Sequence, residues 1–302
     1  MGDLGNDLVL SPILVTGSTG YLGSHIVKKL TKEKIAVISV TRSSTKEDTK
    51  VCDLTSKSKV KKLLERTNPS RIIHCAAAVP KEVGGVVTGY KSISAAEESL
   101  AMSLNISEVS TCPVVFISSM SVYDNGVFIE NPVCEEAGIY ESSTPYAASK
   151  YTAEKGMEKL TNSGLITLRL PGLFGKPRIT GVLYKAAYAF LSGKEFKLTS
   201  TPLWAAMHVE DAADSCVRAA KIRDFPESDT INIGYSDIFN IISVIKLLAD
   251  ICSVEWNDGA LSAPNFQANL EKSKKYFLCS GGHFKNRLEQ LVRDVRSDVM
   301  NS

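Results

Sequence analysis

The chain has 302 residues, of which 44% are apolar and 23% charged, a composition typical of a globular enzyme and unlike that of a disordered, fibrous or membrane-embedded protein. Its 35 Lys and Arg residues nearly balance its 33 Asp and Glu residues, and the formal net charge of +2 argues against a protein whose main partner is a nucleic acid. We therefore expect a protein that binds a small molecule, and the length suits one large domain or two coupled ones.

Predicted strands and helices alternate along the chain. Short apolar runs predict strands at residues 13–15, 35–40, 71–74, 114–117, 165–170 and 230–233. Apolar residues at helical spacing predict helices at residues 26–30, 56–66, 94–109, 145–160 and 212–220. This alternation predicts an α/β fold, a Rossmann-type doubly wound parallel sheet with right-handed crossovers and helices on both faces.

Two later segments, 176–204 and 237–302, show helical periodicity but fewer strands. We assign them to a smaller C-terminal substrate-binding lobe, and we assign 12–175 with about 205–236 to the dinucleotide-binding domain. The tail carries Leu288 and further apolar residues at helical spacing among basic side chains. A nucleic-acid or membrane helix would show this pattern too, but we expect an amphipathic helix packed on the smaller lobe.

The cysteines and the N-terminus bear on the compartment. Seven widely spaced cysteines without a CxxC motif predict neither a disulfide framework nor a thiolate zinc site. Residues 1–11 carry no basic and apolar leader pattern, and no apolar run approaches the ~18 residues of a membrane span. We expect a cytoplasmic protein without membrane association, and with only four histidines, none paired at short spacing, we expect no metal.

A glycine-rich turn follows the first predicted strand. Gly17, Gly20 and Gly23 form a GxxGxxG pattern between this strand and a helix. Glycines let the backbone approach a pyrophosphate, and the helix N-terminus presents free N–H groups to it. The alternative is a bare glycine turn, but the strand–turn–helix context favours dinucleotide binding. The candidate cofactor-binding residues of the turn are Gly17, Thr19, Gly20, Tyr21, Leu22 and Gly23.

The end of the second predicted strand bears on the choice of cofactor. An acid in this window would bind the ribose hydroxyls of NAD, but residues 40–44 contain Arg42 and no carboxylate. A guanidinium can bind a 2′-phosphate, so we expect NADP(H) rather than NAD(H). The alternative is a solvated arginine with less selective binding of NAD. Asp53, followed by Leu54, could be a turn former, but its place in the order of elements leads us to prefer an acceptor for the adenine amino group, and we count both residues as candidate cofactor-binding residues.

A tyrosine followed four residues later by a lysine occurs twice, as Tyr146/Lys150 and as Tyr151/Lys155. Tyrosine can act as acid or base at a substrate oxygen beside a nicotinamide when a nearby lysine lowers its pKa. The two tyrosines differ by about 140° around a helix axis, so they cannot face one cleft. We choose Tyr146 with Lys150, because Pro145 places them at the start of the helix, near the carboxyl edge of the sheet.

Ser119 follows the fourth predicted strand at the same edge, where its hydroxyl could contact the substrate oxygen. Serines in such places are often only turn formers. Six segments in order resemble the motifs of the extended short-chain dehydrogenase/reductases, the NAD-dependent epimerase/dehydratase family: residues 16–23, 74–78, 118–123, 146–150, 169–175 and 208–211. The resemblance extends over roughly residues 12–245.

This resemblance implies roles for individual residues. Ser119 would polarise the substrate oxygen, Tyr146 would be the acid/base, and Lys150 would bind the nicotinamide ribose and keep Tyr146 acidic. The resemblance also implies that His74 has a structural rather than a catalytic role, and it is compatible with a homodimer. The residues implied to line the nicotinamide end are Ala76, Ala77, Ala78, Pro171 and Gly172.

Departures from the family pattern bear on the substrate. Met120 and Ser121 stand where dehydratases of the family carry Asp-Glu, which disfavours dehydration. Gly172 stands where many relatives that use sugar nucleotides carry asparagine, and Lys176 or Arg178 would have to replace part of the pyrophosphate grip. We expect an NADPH-dependent ketoreductase acting on a keto-deoxy nucleotide sugar. An epimerase, a non-catalytic NADP(H)-sensing regulator and a small-molecule carbonyl reductase stay open as alternatives.

Overall fold

A seven-stranded parallel sheet forms the centre of this computed structural model, as the alternation of elements predicts. The structure describes residues 12–43, 49–78, 89–123, 132–137, 144–257, 261–278 and 283–301. The N-terminal residues 1–11, the last residue of the window 40–44 (Ser44) and one of the seven cysteines (Cys279) lie outside these residues. The strands of the sheet are β1 (Ile13–Thr16), β2 (Val37–Thr41), β3 (Thr49–Val51), β4 (Arg71–His74), β5 (Val114–Ser119), β6 (Leu165–Leu170) and, last in the chain, Ser228–Asn232.

Two further short strands, β7 (Gly172–Phe174) and β8 (Ala206–His208), pair with each other in parallel, so Ser228–Asn232 is β9. The large sheet runs in the order β3-β2-β1-β4-β5-β6-β9. Its order reverses between β1 and β4, which pair in parallel from Ile13 with Arg71 to Thr16 with His74. Ligands of doubly wound sheets bind at the carboxyl ends of the strands beside such a reversal.

Helices cover both faces of the large sheet. They are α1 (Tyr21–Lys32), α2 (Lys57–Thr67), α3 (Gly89–Val109), α4 (Pro145–Leu160), α5 (Val182–Leu191), α6 (Val209–Ala220), α7 (Ile241–Cys252), α8 (Glu271–Lys275) and α9 (Phe284–Met300). Strand side chains alternate between the faces: Ile13 and Val15 join an apolar cluster with α1 and α6, whereas Leu14 joins a second cluster with α2, α3 and α4.

The start of α4 follows the rules for a helix N-terminus. The Thr144 side chain accepts a hydrogen bond from the backbone N–H of Ala147 at 3.1 Å, and Pro145 occupies the first helical position. The observed helix matches the predicted bounds. By contrast, α3 begins five residues before its predicted start at residue 94. The prediction missed its first turns because they carry polar residues such as Lys91 and Ser92, which give no apolar periodicity.

The C-terminal helix α9 is amphipathic and packs on α5 and α7, as expected from its pattern. Its buried side chains are Phe284, Leu288, Leu291, Val292 and Val295. No helix within the described ranges is both long and apolar enough to cross a bilayer. A third apolar cluster joins the segment after β5, through Met120 and Tyr123, to Phe266 and Leu270 from the C-terminal part of the chain.

Candidate active site

The glycine turn packs directly against the chain that follows β4. Gly17 has a φ of +64°, and a Cβ added there would lie 2.9 Å from the backbone N of Ala76. A Cβ at Gly23 would lie 2.1 Å from the carbonyl oxygen of Gly17. Both positions therefore require glycine, for the conformation at Gly17 and for the close approach at Gly23. The turn leads into the first turn of α1, whose N–H groups have no intrahelical acceptor.

A cavity of about 650 Å³ opens at the carboxyl ends of β1, β2 and β4, beside this turn. It is lined by Gly17, Thr19, Gly20, Thr41, Arg42, Cys52, Leu54, Cys75, Ala76, Ala77, Ala78, Lys91, Ser94, Ala95, Glu98 and Met102. Its position at the helix N-terminus, its glycine walls and its size suit the adenosine and pyrophosphate groups of a dinucleotide. The structure thus brings together eight of the residues predicted to bind a cofactor: Gly17, Thr19, Gly20, Arg42, Leu54, Ala76, Ala77 and Ala78.

Three predicted cofactor residues have side chains engaged elsewhere. The hydroxyl of Tyr21 donates to the carbonyl oxygen of Gly175 at 2.7 Å, and Leu22 packs against the apolar cluster of α1. Only the backbone N–H groups of these two residues remain as candidate ligands. Asp53 accepts hydrogen bonds from the backbone N–H and the hydroxyl of Thr55, at 3.1 and 2.7 Å, as in a turn-forming aspartate.

The tertiary structure places an acid beside Arg42 that the local sequence window did not contain. Glu98 of α3 forms an ion pair with the guanidinium of Arg42, and both residues line the cavity. The window after β2 does lack a carboxylate, as the sequence shows, but another element supplies one to the same part of the cavity. The sequence window covered only the residues after β2, whereas Glu98 comes 56 residues later in the chain.

Lys150 is buried beside the carboxyl end of β5. Its ammonium donates a hydrogen bond to the carbonyl oxygen of Ile117 at 2.8 Å and lies 4.9 Å from the ring centroid of Phe116. The same ammonium lies 5.9 Å from the ring centroid of Tyr146. Burial lowers the pKa of Lys150 to about 8, and the interactions with Cys75 and Glu154 oppose this decrease.

Tyr146 stands beside Lys150 and Ser119. Desolvation raises the pKa of Tyr146 above its ordinary value although 44% of the residue's surface is exposed, and a hydrogen bond from Ser119 acts in the opposite direction. The Ser119 hydroxyl also accepts a hydrogen bond from the backbone N–H of Ser121 at 3.1 Å. The three residues predicted to be catalytic are therefore neighbours in the structure.

The other tyrosine–lysine pair lies outside this arrangement. Tyr151 packs against the apolar cluster that contains Met120 and Phe266. Lys155 is exposed and pairs with Glu158 at 3.0 Å. Geometry thus favours the choice of Tyr146 and Lys150 that was made from the helical spacing.

A second cavity, of about 190 Å³, lies beside Ser119, which forms part of its lining. It is lined by Ser119, Met120, Ser121, Leu170, Pro171, Gly172, Leu203, Trp204, Ala205 and Phe266, a set without a charged side chain. Pro171 and Gly172 are thus close to the predicted catalytic serine. Neither Lys176 nor Arg178 is among the lining residues of this cavity. Lys176 pairs with Asp298, and Arg178 donates to the carbonyl oxygen of Leu173 at 3.2 Å.

A buried polar network lies behind the sheet edge that carries Ser119, and the sequence interpretation missed it. Arg169 of β6 pairs with Glu154 of α4 at 2.6 Å and donates to the hydroxyl of Tyr123 at 2.7 Å. Glu154 also accepts a hydrogen bond from the hydroxyl of Ser118. Two features of the sequence could have indicated this network: an arginine in a mostly apolar strand, and a glutamate one helical turn beyond Lys150.

His74 occupies a structural position, as the sequence interpretation expected. Its Nδ1 is 2.8 Å from the hydroxyl of Thr16 and its Nε2 is 3.2 Å from the hydroxyl of Ser103. Burial lowers the pKa of His74 to about 3, so the ring is neutral at physiological pH. Within the described part of the chain no group of three or more histidine, cysteine or acidic side chains is arranged to hold a metal ion.

Comparison with known proteins relates these features to a family. A model of the NAD dependent epimerase/dehydratase family matches residues 13–234. GDP-6-deoxy-D-talose 4-dehydrogenase of Aggregatibacter actinomycetemcomitans is 26% identical over 249 residues, which cover 79% of this chain and 79% of that protein. Methionine adenosyltransferase 2 subunit beta of Xenopus laevis is 25% identical over 222 residues, 70% of this chain and 63% of that protein.

Solved structures share the fold over nearly the whole chain. One is UDP-glucose 4-epimerase from Bifidobacterium longum in complex with NAD⁺ and UDP, with a TM-score of 0.74. It is 19% identical in sequence, and the match covers 96% of this chain and 99% of that chain. At this identity the likeness establishes the architecture, a Rossmann-type parallel sheet with flanking helices.

Proposed function

Because the chain belongs to the NAD dependent epimerase/dehydratase family, we propose that it is an NADPH-dependent ketoreductase that acts on a keto-deoxy nucleotide sugar. The observation that carries this proposal is the grouping of Ser119, Tyr146 and Lys150 between two cavities. Lys150 is close enough to Cys75, which lines the larger cavity, for each to affect the other's pKa, and Ser119 lines the smaller, uncharged cavity. The grouping therefore lies where a cofactor in the larger cavity would meet a substrate in the smaller.

The three side chains have complementary roles in a ketone reduction. A bound nicotinamide cofactor supplies the hydride for the carbonyl carbon. Tyr146 donates its phenolic proton to the carbonyl oxygen and is reprotonated from solvent, and Ser119 donates a hydrogen bond to the same oxygen. The positive charge of Lys150 stabilises the tyrosinate that forms, and its N–H groups that do not bond Ile117 are donors for the ribose hydroxyls.

The proposed cofactor-binding residues are those of the larger cavity together with a few residues beside it. The glycine turn and the first N–H groups of α1 would hold the pyrophosphate, and Arg42 would bind a 2′-phosphate. Residues 76–78, Pro171 and Gly172 would line the nicotinamide end. Asp53 is a candidate for the adenine amino group through its Oδ2, since its Oδ1 accepts from Thr55, although the ammonium of Lys59 also lies 3.8 Å from this Oδ2.

The smaller cavity favours reduction over dehydration. Loss of water from a sugar needs an acid and a base beside the reacting carbons. Met120 and Ser121 line the cavity in the place where dehydratases of the family carry two acids, and its described lining contains no carboxylate. The relative from Aggregatibacter is, by name, a 4-dehydrogenase of a 6-deoxy nucleotide sugar, and the reverse of such an oxidation is the reduction proposed here.

The test is to supply NADPH with a panel of dTDP-, UDP-, GDP- and CDP-linked 4-keto-6-deoxy sugars and to follow absorbance and product together. We expect one NADPH consumed for each reduced sugar formed, because a reductase releases an oxidised cofactor in every cycle. Conversion of a nucleotide sugar to its epimer without loss of NADPH would contradict the proposal.

Two alternatives have support of their own. An epimerase is favoured by the fold shared with the Bifidobacterium enzyme, which is by name a UDP-glucose 4-epimerase. A regulator that binds NADP(H) without turnover is favoured by the Xenopus relative, which is by name a subunit of another enzyme. Epimer formation in the assay would establish the former, and cofactor binding without turnover of any sugar would favour the latter.

A further inference from the structure

The ion pair between Arg42 and Glu98 joins two walls of the larger cavity. Arg42 follows β2, and Glu98 stands on α3, on the helix face that also presents Lys91, Ala95 and Met102 to the cavity. The guanidinium proposed to bind a 2′-phosphate is thus already paired with a carboxylate. The Arg42 side chain is 56% exposed and that of Glu98 is 32% exposed, so water reaches both groups.

We infer that Glu98 is a second cofactor-selectivity residue, which opposes Arg42 and holds the preference for NADPH over NADH to a moderate level. This inference rests on the proposed dinucleotide site in the larger cavity. Glu98 supplies, from a different element, the acidic group that is absent after β2.

Because of this ion pair, a 2′-phosphate must compete with the Glu98 carboxylate for the guanidinium of Arg42. An exposed ion pair contributes at most about 1 kcal/mol, so a phosphate can replace Glu98 as the partner of Arg42. The phosphate then carries about two negative charges beside the displaced carboxylate, and the repulsion between them reduces the benefit of the new contact. Glu98 therefore weakens the binding of NADPH without preventing it.

The same carboxylate has the opposite effect on NADH. A ribose with free 2′- and 3′-hydroxyls offers two hydrogen-bond donors, and a carboxylate accepts such bonds. Arg42 can stay paired with Glu98 while these hydroxyls bind, so no charge is left without a partner. Removal of the negative charge should thus shift the ratio of the two affinities in one direction, toward NADPH.

The experiment measures binding to the adenosine end alone. Dissociation constants are determined by isothermal titration calorimetry for 5′-AMP and for 2′,5′-ADP, which differ only by the 2′-phosphate. We expect Glu98→Gln to raise the preference for 2′,5′-ADP by about three- to tenfold, the range of a partly exposed charge interaction. Arg42→Ala should lower this preference by at least about tenfold, because a charge-assisted contact is lost.

Two further variants separate the charge at this site from other effects. Glu97→Gln removes the same charge from the neighbouring residue on α3, which is exposed and outside the cavity lining, and should leave the preference unchanged. Glu98→Asp keeps the negative charge, so its preference for 2′,5′-ADP over 5′-AMP should stay close to that of the wild-type protein. A change in this preference in Glu98→Asp would reveal an effect of altered packing rather than of charge. Thermal melting of each variant confirms that it is folded.

The outcomes distinguish this inference from the proposed function. If the wild-type protein binds both ligands but Glu98→Gln changes the preference no more than Glu97→Gln does, the selectivity role of Glu98 is refuted and the cofactor site stands. If the wild-type protein binds neither these ligands nor NADPH and NADH, the proposed dinucleotide site itself is wrong and the inference fails with it.

Discussion

At the scale of single residues, the proposed chemistry depends on one buried lysine beside a half-exposed tyrosine. The ammonium of Lys150 is enclosed by Ile117, Phe116 and Tyr146, an environment of low polarity that strengthens its effect on a nearby phenolate. Burial alone raises the pKa of Tyr146, and only the hydrogen bond from Ser119 acts against this. The hydrogen bond from Ser119 thus favours the ionised form of Tyr146, and we propose that the charge of Lys150 supports this form when the phenol gives up its proton.

Replacement of Tyr146 by Phe should abolish turnover, with a loss of at least about 10²-fold in kcat, because the phenol is the proton donor. Cofactor affinity, measured by fluorescence titration, should change little, since the hydroxyl is proposed to meet the substrate. Tyr151→Phe is the matched control on the same helix and should keep activity within about twofold of wild type. An inactive Tyr151→Phe with an active Tyr146→Phe would show that the other pair is catalytic.

The pKa of Lys150 leads to a prediction about pH. Its value of about 8 in the folded protein means that the ammonium loses its charge as the pH rises through 8, and kcat/KM for the reduction should fall there. The measurement is a profile of initial rates from pH 6.5 to 9.5. Lys155→Gln, which removes an exposed lysine of the same helix, should show the same profile as the wild-type protein.

A loss of fold stability through Lys150 would not explain the expected decrease in kcat/KM above pH 8. The pKa of Lys150 is about 8 in the folded protein, below its ordinary value of 10.5. Between pH 8 and 10.5 the lysine therefore binds more protons in the unfolded chain than in the folded one. Its contribution makes the fold more stable as the pH rises through this range. Melting temperatures at the same pH values test the point. A rate that stays constant to pH 9.5 would contradict the role given to the ammonium.

At the scale of secondary-structure elements, the buried polar network around Arg169 joins α4, β5, β6 and β9. Arg169 of β6 bonds Glu154 of α4, and the hydroxyl of Tyr123 donates to the Asn232 side chain of β9 at 2.8 Å. Ser118, at the end of β5, completes the connection. Because Glu154 is one turn from Lys150 and Ser118 adjoins Ser119, the network holds α4 and the end of β5, which carry the proposed catalytic residues, against each other.

Glu154→Gln should destabilise the fold by about 3–5 kcal/mol, because it leaves the buried charge of Arg169 without its counterion. The free energy of unfolding from urea denaturation measures the effect. Combining Glu154→Gln with Arg169→Met should recover part of the loss, since no unpaired charge is then buried. Glu158→Gln breaks the exposed pair with Lys155 on the same helix and should cost less than about 1 kcal/mol. Equal costs for Glu154→Gln and Glu158→Gln would disprove the structural importance of the buried pair.

At the scale of the whole molecule, the C-terminal helices share an apolar core with the sheet. One cluster includes Ile13 of β1 and Leu168 of β6 together with Leu183 of α5, Ile245 of α7 and Leu288 of α9. We propose that residues 176–204 and 237–302 form the substrate-binding lobe, and such a shared core would limit its motion relative to the dinucleotide-binding part. Trp204 and Phe266 from this part of the chain do line the smaller cavity.

The sequence by itself determined the local features of this protein. The bounds of β4, β6 and α4 agree with the prediction, because each has a strong pattern of apolar residues with a clear start or stop signal. The glycine turn was predictable because only glycine fits its backbone. The choice between Tyr146 and Tyr151 followed from helical spacing and from the position of Pro145 alone.

Only the tertiary structure decided which distant side chains meet. Glu98 reaches Arg42, and Glu154 reaches Arg169, through packing of helices on the sheet, which no local pattern encodes. Similarly, Lys176 and Arg178 have the right charge for a pyrophosphate, but the structure gives them other partners. Periodicity reports which face of an element is buried, whereas the contacts that set charge and specificity arise between elements far apart in the chain.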